Sequence, residues 1–234
     1  MDENYQFIAE DLGPPVAATA FDAEELAYMK DRLPPRLVEF LTETGHATFA
    51  KGGVTLCPPK RFAPILALVF KADADLDHRD CTLVSYSAFG ELSVWSARHG
   101  IVTIDLPQGE VSSQSLAPAE FPGGFVPPPP PGKPDPNVIA CGTIRYEPDE
   151  MDYRDFKGDL MLAPCIKAHG VLALGECYGF FPALGLVGPE SPTRRVENVK
   201  RVQALEHFSF LAQLQSSYLS RLTGSGIENL REIG

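Results

Sequence analysis

The chain has 234 residues, 44% of them hydrophobic, and 31 acidic against 20 basic side chains give it a formal charge of −11. This length and apolar content suffice for a real core in one large or two modest domains and exclude disorder throughout. The charge argues against nucleic acid as a direct ligand, because affinity for DNA comes largely from Lys and Arg neutralising phosphates, and it suits a basic protein partner instead.

In chain order, residues 2–12 predict a short amphipathic helix capped by Asp2, with Phe7, Ile8 and Leu12 on one face and Gly13-Pro14-Pro15 as its stop. Asp22-Ala23-Glu24-Glu25 has capping-box spacing and begins a second helix to about Arg32, with Leu26 and Met29 inward. Pro35 suits the first position of a third helix that carries Leu37, Val38, Phe40 and Leu41 and ends at Gly45. Lys51-Gly52-Gly53 between two apolar stretches predicts a hairpin, and residues 59–70 a helix. From Cys81 the pattern switches to period two, over residues 82–87, 91–97 and 101–106, which is an antiparallel meander with Trp95 in the core of its central strand. Between positions 118 and 136 nine of nineteen residues are proline, so this stretch is expected to be extended, as a linker or a surface strap. Residues 137–146 read as a strand and 160–169 as a helix with Pro164 in its first turn. Residues 175–188, dense in aromatics and glycines, read as a strand breaking into a loop, and a long helix with an apolar stripe is expected from about Glu197 or Val202 to Leu222, with Gly224 as its stop. The resulting fold class is α+β: N-terminal helices with an antiparallel meander (1–116), a Pro-rich linker or strap (117–137), and a smaller C-terminal α+β domain ending in a long helix (138–234).

Catalytic and metal motifs are not found. The five histidines are scattered, no Cys pair has metal-ligand spacing, and phosphate-binding glycine loops and a nucleophile elbow are missing, so no catalytic, metal or cofactor residue is expected. Asp73-x-Asp75-x-Asp77 begins like a calcium loop but has His78 at the sixth position and Val84 at the twelfth, where glycine and glutamate belong. Two acidic sets remain as candidate contacts for a cationic partner: Asp73, Asp75, Asp77 and Asp80, and Glu147, Asp149, Glu150 and Asp152. Tyr178, Phe180 and Phe181 are candidate aromatic anchors, with core packing the competing role for at least two of them. No apolar run reaches the ~20 residues of a membrane span, and the acidic start Met1-Asp2-Glu3-Asn4 is unlike a secretory signal, so a cytoplasmic location is expected.

Four stretches together resemble a known pair of domains. Met1-Asp2-Glu3-Asn4 with Phe7 and Gly13-Pro14, then Leu33-Pro34-x-x-Leu37-x-x-Phe40, then Ala88-Phe89-Gly90-Glu91-Leu92-x-Val94-Trp95 resemble the GAD-like domain of bacterial immunity proteins. Glu176-x-Tyr178-Gly179-Phe180-x-Pro182-Ala183-Leu184, followed by a helix with His207, Leu211 and Leu214, resembles the C-terminal domain usually fused to it. The resemblance covers about residues 1–115 and 150–222 and is to type VI secretion system immunity proteins, some of which neutralise DNA-degrading toxins. It implies a non-enzymatic antitoxin that occludes the substrate site of its cognate toxin, a nuclease with a basic surface. The competing expectations are an adaptor or chaperone for toxin delivery and an enzyme whose site is assembled from distant carboxylates and histidines.

Overall fold

A computed structural model of the chain describes residues 3–121, 123–128, 132, 134–144, 147 and 151–234. The class is α+β. One continuous sheet of nine strands runs β1 (Ala17–Thr19), β2 (His46–Phe49), β3 (Val54–Leu56), β4 (Cys81–Ser87), β5 (Glu91–Ser96), β6 (Gly100–Asp105), β7 (Glu110–Ser112), β10 (Tyr218–Thr223) and β11 (Gly226–Glu232), in that order. Neighbours are antiparallel except β7 and β10, which pair in parallel through Glu110 with Tyr218 and Ser112 with Ser220. A separate two-stranded sheet joins β8 (Glu176–Phe180) to β9 (Val199–Gln203).

The N-terminal helices follow their sequence signals closely. Helices α1 (Glu3–Leu12), α2 (Ala23–Arg32) and α3 (Pro35–Thr44) pack with Phe49, Val54, Val84 and Trp95 into one apolar cluster. Asp22 caps α2 by accepting the N–H of Glu25, and Gly45, at φ 79, ends α3 where a Cβ would meet the Thr19 carbonyl of β1. In α1 the inward face differs from the expectation: Tyr5 and Leu12 are buried while Phe7 is 70% exposed. The predicted cap, Asp2, lies outside the described residues.

The other core lies under the meander. Helix α4 (Pro59–Phe70) and helix α8 (Ala204–Leu214) cover the sheet face formed by Leu83, Tyr86, Leu92, Val94, Val102, Ile104 and Val111. A third cluster gathers Phe89 of the β4–β5 turn with Tyr153, Tyr178, Phe180 and Leu184, and the Tyr178 N–H donates to the Ala88 carbonyl, which fixes β8 against that turn.

Two elements differ from the sequence reading. The expected strand at 137–146 is helical where it is described: Asp135 accepts the N–H of Asn137, Pro136 takes the first position of α5 (Pro136–Ile139), and one turn of 3₁₀ helix follows. Residues 145 and 146 lie outside the described residues. The long helix expected from about 197 or 202 to 222 is three elements: residues 199–203 pair with β8 as β9, α8 stops at Leu214, and residues 218–223 become β10. Helix α6 (Leu162–His169) holds Pro164 in its first turn, as expected, and α7 (Leu184–Val187) is a single turn.

Candidate functional site

The first acidic set divides by burial. Asp73 is only 3% exposed at its side chain and accepts the N–H groups of Asp75, Leu76 and Gly234 together with the Arg231 guanidinium; that guanidinium holds its carboxyl well below the usual aspartate range. Asp75 takes the other arm of Arg231 at 2.7 Å. Asp77 caps a short 3₁₀ turn through the Arg79 N–H and receives the Arg79 side chain at 2.6 Å and 3.0 Å, which depresses its pKa as well. Of the four residues, Asp80 is the exposed one, and the other three are partly buried. These carboxylates chiefly fasten β11 and the loop before β4.

The second set behaves similarly. Glu147 is exposed, whereas Asp149 and Glu150 lie outside the described residues. Asp152 accepts the N–H of Leu162 at 2.9 Å, the first residue of α6, and burial raises its pKa above the ordinary range. It therefore supplies the cap that Met161 lacks.

Among the aromatics, Tyr178 is fully buried, its hydroxyl donating to the Gly170 carbonyl at 2.6 Å, and Phe180 stacks on Phe89 with centroids 5.8 Å apart. Phe181 alone of the three reaches solvent, at 41% exposure. It packs on His207 at 5.9 Å, and the Lys200 ammonium lies 5.2 Å from its ring centre. The His207 ring fits because Gly179 has no side chain, a Cβ there lying 2.7 Å from Nε2.

The sequence reading missed a third acidic group. Glu91 opens β5, Asp105 closes β6 and Glu110 opens β7, and the strand register sets Asp105 directly opposite both of the others. The Tyr153 hydroxyl donates to Asp105, and Gln108 donates to the same carboxylate from its side chain and its N–H. Burial, reinforced by Asp105, pushes Glu110 up to about 7. Counting residues through the two meander turns would have disclosed this row, since the turn lengths fix the register. Among the described residues no group of three or more His, Cys, Asp or Glu is placed to hold a metal ion, and no helix is long and apolar enough to cross a membrane.

Comparison with known proteins gives these features a context. Residues 3–107 match the family described as GAD-like domain, and residues 145–215 match the family described as T6SS immunity protein Tdi1, C-terminal. The crystal structure of Atu4351 from Agrobacterium tumefaciens superposes with a TM-score of 0.81 at 26% sequence identity, covering 100% of this chain and 98% of that one. No curated protein matches. Carrying both domains in this order along most of its length, the chain belongs to the type VI secretion system immunity proteins with an N-terminal GAD-like domain.

Proposed function

We propose that this immunity protein binds a DNase toxin in the cytoplasm and neutralises it by covering the basic surface with which the toxin holds its substrate. The observation that carries the reading is a charge of −11 on a chain of this family. A nuclease needs Lys and Arg on its substrate face to neutralise phosphates, and an inhibitor bearing carboxylates is drawn to that face and competes with DNA there. Inhibition of this kind is stoichiometric and uses no catalytic group or cofactor. Among the acids, Asp80 and Glu147 are exposed and suit long-range attraction together with Asp149 and Glu150, whereas Asp73, Asp77 and Asp152 already serve the chain's own backbone and cations. Phe181 supplies the exposed aromatic contact on the C-terminal part.

The test is a titration of the purified cognate toxin, assayed for DNA cleavage. Cleavage is expected to cease at one equivalent, with an association rate that falls as salt rises. Replacing Asp80, Asp149 and Glu150 together by Ser should slow association severalfold and leave dissociation nearly unchanged. A toxin that is inhibited stoichiometrically but has no activity on nucleic acid would remove the nuclease assignment while keeping the antitoxin one.

A further inference from the structure

We infer that the outer face of the large sheet, where the C-terminal hairpin joins β7, is a docking surface for a basic, extended segment of the toxin. The inference rests on the nuclease reading above, which supplies a basic partner. Three independent features of this face converge on it.

The first is apolar exposure. Leu222 and Ile227 are register partners across β10 and β11, and they remain 57% and 56% exposed. Beyond them β11 is the last strand of the sheet among the described residues, so its outer backbone groups form an open edge. Sheet proteins ordinarily shield such an edge from other strands.

Shape is the second. A cavity of about 520 Å³ bounded by Gly142 and Ala119 adjoins one of about 300 Å³ bounded by Glu110 and Ile227. The two share Thr103, Ser112, Arg221 and Leu222, so they form one trough along the sheet.

The third is charge. Glu91, Asp105 and Glu110 stand in a row at one end of the trough, and like charges directly opposite one another on neighbouring strands are destabilising. Arg221, which lines both cavities, is already divided between Glu120 at 3.4 Å and Glu228 at 2.8 Å. Arg231 on β11 is held by Asp73 and Asp75. The influences on Glu110 are burial and Asp105, and both favour its protonated form.

A second copy of this chain carries the same net charge of −11, so two copies repel one another as wholes. A basic, extended segment of the toxin instead lies along the trough, covers Leu222 and Ile227, and places a Lys or Arg beside Glu110, which lines the same cavity as those two side chains.

The experiment measures binding of the purified full chain to the cognate toxin, rendered inactive by substitution of its catalytic residue. Ile227→Arg, at an exposed position, is expected to raise Kd about tenfold or more. Glu110→Gln should weaken toxin binding while raising the thermal midpoint of the free protein at pH 8, a combination that a misfolded variant does not give. Backbone amides of β11 should gain hydrogen-exchange protection in the complex. If both variants keep the wild-type Kd and β11 gains no protection, the surface is wrong and the antitoxin reading stands. If the wild-type chain does not bind the toxin, both fall. Self-association of the free chain that Ile227→Arg abolishes would assign the face to a second copy and overturn the inference.

Discussion

Glu25 stands at the position from which a capping box closes back on its own helix, yet its carboxylate accepts the N–H groups of Lys60 and Arg61 at 2.7 Å and 2.9 Å in the first turn of α4. A residue of α2 thus caps a helix that lies more than thirty positions downstream, and burial of that carboxylate raises its pKa. Glu25→Ala should cost about 1–3 kcal/mol, because it leaves two shielded donors without an acceptor, and Glu25→Gln less; chemical denaturation of the two variants checks the order. Asp73 and Glu110 predict opposite responses to pH. The Asp73 carboxyl is depressed in the folded state, so its contribution is fully present above the ordinary aspartate pKa and is lost as pH falls towards the folded value. That contribution should disappear in Asp73→Asn, visible as a shallower acid limb in thermal midpoint against pH. The Glu110 carboxyl is raised to about 7, so the folded state binds a proton that the unfolded chain releases, and stability falls as pH climbs from the ordinary glutamate range through 7. Glu110→Gln should therefore raise the midpoint by a few degrees at pH 8 and change it little at pH 4.

At the scale of elements, what could be read from the sequence was what local chemistry decides. Asp22, Pro35 and Gly45 mark helix ends whatever surrounds them, and the period-two run after Cys81 gives the meander strands within a residue or so at each end. The stretch from 199 to 222 was harder because Leu205, Phe208, Leu211, Leu219 and Leu222 satisfy a helical period across a break at Ser216 and Ser217. Partners decide there: β8 recruits residues 199–203, while β7 and β11 recruit residues 218–223. A local signal was nevertheless present, since Gly224-Ser225 between Leu222 and Ile227 is a two-residue hairpin turn. The acidic row of Glu91, Asp105 and Glu110 shows no local motif, because each member sits at the end of a different strand, and only the register across the two meander turns brings the three together. Of the nominated contacts, the buried placement of Tyr178 and Phe180 follows from Phe89, a neighbour that only the tertiary fold supplies. Within the hairpin, Arg231 is the fastening: Arg231→Ala should speed amide exchange in β11 while leaving β4, β5 and β6 protected, as hydrogen-exchange mass spectrometry can resolve.

For the whole molecule, the excess of acid is spread unevenly in its uses. Some carboxylates clamp the chain to itself, as Asp73 does with β11 and Asp152 with α6, and others are exposed. A carboxylate already paired with a cation of the chain weighs least in the field a partner meets, so toxin association by the Asp73→Asn variant should keep most of the salt dependence of the wild type. A stopped-flow series in rising salt measures this directly. The parallel pairing of β7 with β10 joins residues more than a hundred positions apart and encloses the Pro-rich stretch and the whole β8–β9 unit between them. A ribosome making this protein therefore releases β7 long before its neighbour exists, and the nascent chain carries a bare strand edge until residues 218–223 emerge. Each growing chain carries the β7 edge exposed until β10 is made and covers it.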